Sequence, residues 1–319
     1  MTLSPRRGIA LLLAVVLAAV LLYYSLRGIE WRDVGALLAQ ASPWPLVLAA
    51  AIVSATLFLR AWRWRILLTA GGDIPMSVAF WATAAGSFGN NFLPARAGEL
   101  IRTMIVSTRS RFDSAFVLAT ALSERVADAV ALVLITSVVL FAVPNPPDWM
   151  SGAARMAALV GLAGAAALVL IPVFELKAKR LMKRLPLAAA ASQRLDAAIG
   201  SALRGIRAFH DRRRLAGFAA VTIVIWYLDA VGSVLAASAL GLDLPLSVAL
   251  LLIAGLSVGS ALPSTPGYVG IYQFVAVTVL TPFGFSRADA IAFILVAQVL
   301  TYVVIGAYGA IGLLKFRTA

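Results

Sequence analysis

Apolar residues run in long blocks along this chain, and the polar residues that interrupt them fall at regular places. Residues 9–26 are an apolar run behind a short basic stretch, Ser4 to Arg7. A second run, 44–62, ends among Arg60, Arg63 and Arg65, and further runs occupy 114–143, 156–174, 215–240 and 289–314. Each is long enough for a helix that crosses the roughly 30 Å hydrocarbon layer. Two shorter runs, 77–93 and 247–262, are dotted with Gly or Ser and end differently. The first leads into Asn90-Asn91-Phe92-Leu93-Pro94-Ala95-Arg96-Ala97-Gly98-Glu99-Leu100-Ile101-Arg102, the second into Leu262-Pro263-Ser264-Thr265-Pro266-Gly267-Tyr268-Val269-Gly270-Ile271-Tyr272-Gln273. Both carry Leu-Pro with Gly four residues after the Pro. Paired interruptions of this kind in corresponding halves point to a transporter's binding site.

Basic residues decide how the runs are threaded. If residues 77–108 dip into the membrane and return to the same side, Arg60 to Arg65 and Arg96 to Arg111 share one side. If residues 247–283 dip and return from the opposite side, the basic segment 175–214 and the C-terminus join them. Of 27 Lys and Arg, four then lie outside (Arg27, Arg32, Arg155, Arg287), Arg125 lies within the membrane, and the other 22 are cytoplasmic. That asymmetry follows the positive-inside rule. The expected fold is an all-α polytopic membrane protein of about six transmembrane helices plus two re-entrant helical hairpins. The halves, about 1–150 and 151–319 of a single integral membrane domain, share element order with opposite orientation, an inverted repeat. Within 175–214, Leu195, Ile199, Leu203 and Ile206 follow helical spacing between arginines, the pattern of an amphipathic helix on the membrane surface.

Composition agrees and excludes several chemistries. The chain of 319 residues is 62% hydrophobic and 13% charged, with mean hydropathy +0.95, values far from those of soluble domains. It has no Cys and one His, His210. Disulfides, thiolate nucleophiles and Cys or multi-His metal sites are thereby excluded. The net charge of +13 lies beside membrane spans, so it reports topology and anionic lipid rather than nucleic acid.

The candidate chemistry gathers at the two interruptions. Thr265 is placed to cap a helix with Pro266 at its first position, and Gly98 and Glu99 open the equivalent limb. Two helix N-termini aimed at mid-membrane offer N–H groups to a phosphate or carboxylate. Arg96 adds a guanidinium fork, and Asn90, Asn91, Ser264, Thr265, Gly267, Tyr268, Tyr272 and Gln273 supply neutral polar groups and backbone. Arg96, Glu99 and Arg102 alternatively form an ion-pair ladder at i, i+3 spacing. Glu124 and Asp128 share a helical face beside Arg125, either as partners of Arg96 or Arg102, as proton carriers, or as a buried structural network. Asp229 stands among apolar neighbours and needs a donor; a protonated carboxyl bonded to a backbone carbonyl is the plain alternative.

The run Asn-x-x-x-Pro-x-Arg-x-Gly-Glu-x-x-Arg, ending at Arg102, and Leu-Pro-x-x-Pro-Gly-x-x-Gly, from Leu262 to Gly270, resemble the transmembrane domain of lysylphosphatidylglycerol synthases and their stand-alone flippase-like relatives. Length and segment order match over nearly the whole chain. The resemblance implies a multi-pass protein of a bacterial inner membrane that moves lipids, with both termini cytoplasmic. Relatives often carry Glu where this chain has Gln273, which bears on any ion coupling there. No soluble transferase domain accompanies the motifs, so synthase activity is not carried over and the chain reads as no enzyme. The expected function is translocation of an anionic or phosphate-bearing lipid, with Asn90, Asn91, Arg96, Glu99, Arg102, Ser264, Thr265, Gly267, Tyr268, Tyr272 and Gln273 as binding residues. Glu124, Arg125, Asp128 and Asp229 form the intramembrane charge network. No cofactor or metal is called for. Membrane lipids are the expected partners, with a homodimer or a membrane enzyme as further ones. A small-solute or ion transporter and an intramembrane enzyme acting on lipid phosphates are the alternatives.

Overall fold

The structure is a computed structural model that describes residues 5–93, 97–142, 148–173, 200–261 and 265–317; among them all regular structure is helical. The first half holds α1 (Pro5–Leu26), α2 (Trp31–Ala39), α3 (Pro43–Leu68), α4 (Met76–Phe92), α5 (Gly98–Arg109) and α6 (Ser114–Ala142). The second holds α7 (Asp148–Val173), α8 (Arg212–Ser238), α9 (Leu246–Ala261), α10 (Ile271–Leu280) and α11 (Arg287–Arg317). Local chemistry sets several of these ends. Pro43 starts α3 at a position where its missing N–H costs nothing. Asp211 accepts the Arg214 N–H at 2.9 Å to cap α8, and that bond holds its carboxyl below the usual carboxylate range. Ser286 and Asp289 cap α11 reciprocally, each side chain taking the other's backbone N–H at 3.0 and 2.8 Å.

The exterior identifies the solvent. Phe58, Trp62, Leu134, Val138, Leu159, Leu162, Ile223, Val299 and Val303 all point outward, whereas alanines such as Ala61, Ala82, Ala85, Ala121 and Ala230 fill the interior. Apolar outside and small inside is the packing of helices in lipid. Among the described residues, Pro43–Leu68, Arg212–Ser238 and Arg287–Phe316 are long and apolar enough to cross a membrane, with α1 and α9 contributing shorter apolar stretches. The chain is an all-helical, multi-pass membrane protein.

Contacts between distant residues sort the helix ends onto two faces. On one face Arg287 donates to Arg27 O at 2.6 Å and Ser42 N–H to Ala239 O at 2.7 Å. On the other, Phe112 and Phe116 pack beside Gly71, Phe209 and Phe218 pack with Leu67, and Lys315 lies over Trp81 at 4.4 Å. The turn before α4 thus touches the residues after α5, so this hairpin returns to its starting face. Leu240 and Leu244 share a core cluster with Leu280 and Ala288, and the second hairpin, α9–α10, returns likewise. The two tips meet, Tyr268 donating to Asn90 O at 3.3 Å.

The helix bounds repeat along the chain. Shifted by 169 residues, the spacing of the two Leu-Pro pairs, α3 becomes 212–237 and α4 becomes 245–261, against the observed Arg212–Ser238 and Leu246–Ala261. Past the motif the shift is 173, which carries α5 to 271–282 and α6 to 287–315, against Ile271–Leu280 and Arg287–Arg317. The difference is the extra turn around Pro266–Tyr268. Packing follows suit: α3–α4 matches α8–α9, α5–α6 matches α10–α11, and α4–α11 matches α6–α9.

Two features depart from the sequence expectation. The helix α2 was not anticipated; at nine residues it is too short to register as a hydrophobic run, and it packs on α11 through buried Val34 and its neighbours. Most of the basic segment 175–214 lies outside the described residues. Its end is helical at 200–207 and packs inward, with Ser201 and Leu203 buried and Gly205 against α6 at Phe116 and Ala119.

Candidate functional site

Arg63 is the hub of the polar interior, with a side chain only 1% exposed. Its fork donates to Glu124 Oε1 at 2.8 and 3.2 Å, to Asp128 at 2.6 and 3.0 Å, and to Thr222 Oγ1 at 3.1 Å. Phe218 covers its face at 4.8 Å. Arg102 takes the other Glu124 oxygen at 2.8 Å, donates to Ala121 O, and stacks over Trp64 at 4.6 Å. Glu124 therefore sits between two guanidiniums, and its partners hold it charged inside the bundle. The i, i+4 spacing of Glu124 and Asp128 on α6 lets one planar fork reach both carboxylates.

Arg102 enters this cluster because α5 lies unusually close to α4. A Cβ on Gly98 would overlap the Gly86 carbonyl oxygen, so only glycine at 98 permits the approach. Asn90 clips the two limbs together: its Oδ1 accepts the Gly98 N–H at 3.0 Å and its amide donates to Glu99 at 3.4 Å. The N–H expected to be free for a ligand is thus already engaged. Glu99 pairs with Arg102 Nε at 2.5 Å and accepts from Arg125 at 2.8 Å. The ladder reading holds for Glu99 and Arg102, while Arg96 and Ser264 lie outside the described residues.

Against this cluster lies a small, partly open recess of about 30 Å3, lined by Arg60, Arg63, Thr83, Gly86, Ser87, Asn90, Arg102, Glu124 and Arg125. Four guanidiniums face it with one carboxylate; Glu99, Asp128 and Asp229 stand behind them. Thr83 is buried, and its hydroxyl has no partner among the described residues. Arg125, 42% exposed, stands at the mouth. Leu122 precedes it by three residues on the same face of α6, and Leu100 and Met104 form an exposed stripe on α5.

Residues 11–309 match the family described as Lysylphosphatidylglycerol synthase TM region. The chain belongs to that family. Comparison with curated proteins found no match. The second motif is built differently from the first. Gly267, Tyr268 and Gly270 take positive φ of 78°, 56° and 88°, and polar groups from α11 pin the turn. Gln298 donates to Gly267 O at 3.0 Å, and the Tyr302 hydroxyl donates to the same carbonyl. Gln273 accepts the Gly270 N–H at 2.7 Å and donates to Gln298 at 2.6 Å. Buried and doubly bonded, Gln273 holds the turn and does not face the recess.

The remaining anticipated residues are placed as follows. Thr265 precedes the turn, but its hydroxyl donates to Val269 O at 3.2 Å and caps no helix. Tyr268 and Tyr272 stack at 4.8 Å, nearly parallel, beside the tip of the first hairpin. Asn91 donates to Ser87 O on its own helix. Asp229 is not alone: Arg60 Nη2 donates to it at 2.5 Å. Sequence reasoning missed Arg60 and Arg63 as site residues because both were assigned to the membrane surface. The signal was present: Ile66, Leu67 and Leu68 resume the apolar run beyond them. Thr83, Gln298 and Tyr302 left no comparable trace within their apolar helices.

Proposed function

We propose that the protein translocates a lipid with an anionic or phosphate-bearing head group across a bacterial inner membrane. One observation carries this reading: a recess lined by four guanidiniums and one carboxylate within a bundle whose exterior is apolar. Guanidinium forks grip phosphate through paired, charge-assisted hydrogen bonds. A lipid needs its tails to stay outside while the head group enters, and Leu100, Met104 and Leu122 are exposed apolar side chains on α5 and α6, the helices that carry Arg102, Glu124 and Arg125. A solute transporter would favour an enclosed site. Catalysis is disfavoured because each carboxylate of the cluster is paired with an arginine, which leaves no unpaired carboxylate within it. The face carrying Arg65, Arg109, Arg213 and Lys315 is placed in the cytoplasm by the positive-inside rule.

The test is reconstitution into vesicles holding phosphatidylglycerol with a fluorescent acyl chain, with leaflet exposure followed by an impermeant quencher. Wild type is expected to speed redistribution at least about tenfold over empty vesicles, and Arg125→Ala to lose most of that, one charge-assisted contact being worth roughly that factor. Equal acceleration of a labelled diacylglycerol, which has no phosphate, would overturn the reading.

A further inference from the structure

Arg60 and Asp229 are separated by 169 residues, the same shift that superposes α3 on α8 and the first Leu-Pro on the second. Each therefore occupies the other's equivalent position in its half. Under a two-fold operation, a point lies near its own image only if it lies near the axis. The side chains meet at 2.5 Å, so the axis relating the halves passes beside this pair. Flanking contacts agree. Ser42 bonds Ala239 at one end of the α3–α8 crossing, Gly232 packs on Ile52, and Arg63 reaches Thr222 and Phe218 toward the other. Positions on α8 fall as those on α3 rise, so the helices run antiparallel.

The charged recess has no counterpart. The equivalents of Arg63, Thr83, Gly86, Arg102 and Glu124 are Gly232, Leu252, Gly255, Val275 and Ala297. Of the charged groups around the recess, only Arg60 is matched by a charged residue, and that residue is the one it binds. Arg60 also lines the recess and is 34% exposed.

We propose that Asp229 is a positioning residue for the head-group site, contributed by the second half. It holds the Arg60 guanidinium at the recess from the axis of the inverted repeat, which makes the two positions interchangeable. This rests on the translocation reading above. An axial pair turned end for end regenerates the same pair across equivalent backbones. The exchanged pair can therefore re-form here even though position 60 lines the recess and 229 does not, whereas an ordinary buried pair has no equivalent backbone to receive it.

The experiment compares wild type, Arg60→Asp, Asp229→Arg, the double exchange R60D/D229R, and the off-axis exchange R63E/E124R. Melting temperature in detergent and movement of labelled phosphatidylglycerol are measured for each. Each single change places two like charges together and is expected to lower both, with transport falling at least about tenfold. The double exchange is expected to recover the melting temperature and bring transport within about threefold of wild type, the residual loss lying in apparent lipid affinity rather than maximal rate. R63E/E124R is expected to recover neither. A double exchange that remains unfolded, or folds and moves lipid no faster than the singles, overturns the proposal. Equal recovery by R63E/E124R also overturns it, since the axis would then not be the reason. If wild type moves no lipid, the translocation reading fails by itself while the melting temperatures still judge the axial pair.

Discussion

The arginines of this site divide by what surrounds them, and the division predicts different consequences of removing each. Arg63 neutralises two buried carboxylates at once. Truncation to Ala leaves Glu124 with Arg102 alone and Asp128 facing only the distant Arg125 at 3.9 Å. Removing one member of a buried charge cluster costs about 3–5 kcal/mol. Arg63→Ala is therefore expected to melt far below wild type in detergent, and Arg63→Lys to recover little, because one ammonium cannot serve both carboxylates in a plane. Arg125 is the opposite case. Its partner Glu99 is also held by Arg102, at 2.5 Å, so removing Arg125 leaves no carboxylate unpaired. Arg125→Ala should melt close to wild type yet bind a phosphate-bearing lipid much more weakly, which lipid titration of the purified protein would show. A large drop in melting temperature without loss of lipid binding would reverse these roles. Hydropathy alone could not separate the two residues: it found Arg125 because the apolar run continues on both sides, and misplaced Arg63 because Trp64 and Arg65 seem to close the run early.

Helices and turns were legible in proportion to how much of their signal is hydrophobic length. All six long runs and both short ones became helices, since lipid demands a continuous stretch of apolar positions; most ends fall within a few residues of expectation, but α7 starts eight residues before 156 and α3 runs six residues past 62. The second motif's turn was legible as a break but not as a mechanism, because its support comes from Gln298 and Tyr302 across the bundle. That support yields two predictions. A Cβ on Gly270 would collide with the α1 backbone at Ala18, in a conformation that side chains disfavour, so Gly270→Ala is expected to cost about 1–3 kcal/mol in thermal unfolding. Gln273→Glu removes the amide that donates to Gln298 while Gln298's own amide remains committed to Gly267 and Tyr302. A carboxylate there meets an oxygen, whereas a protonated carboxyl can still donate. The variant should be less stable than wild type at neutral pH and regain stability as pH falls through the new carboxyl's raised pKa. A melting difference that does not narrow on acidification would show that Gln298 has turned over instead.

At the scale of the molecule, sidedness is the property most exposed to test, and the Cys-free chain allows it directly. Single cysteines at Asp73 and Arg213 belong to the basic face, and at Arg32 and Asp243 to the other. An impermeant maleimide applied to intact cells is expected to label the second pair and spare the first until the membrane is opened; labelling of position 73 or 213 from outside would invert the assignment. The threading was legible because basic residues count the crossings, whereas the pairing of α3 with α8 was not, since Arg60 and Asp229 name each other only once the shift between halves is known. That pairing also bears on how the protein is made. Arg63 waits 61 residues for Glu124, and Arg60 waits 169 for Asp229. At a synthesis rate of about 5–20 residues per second, these gaps correspond to roughly 3–12 s and 8–34 s. During that interval α3 stands in the bilayer with two guanidiniums lacking their final partners. Both lie within about 12 Å of its end on the basic face, near enough for their side chains to reach the head-group layer while the helix is held in the membrane. The central helix of the finished protein is therefore a provisional one at birth, committed to its depth only when the last third of the chain arrives.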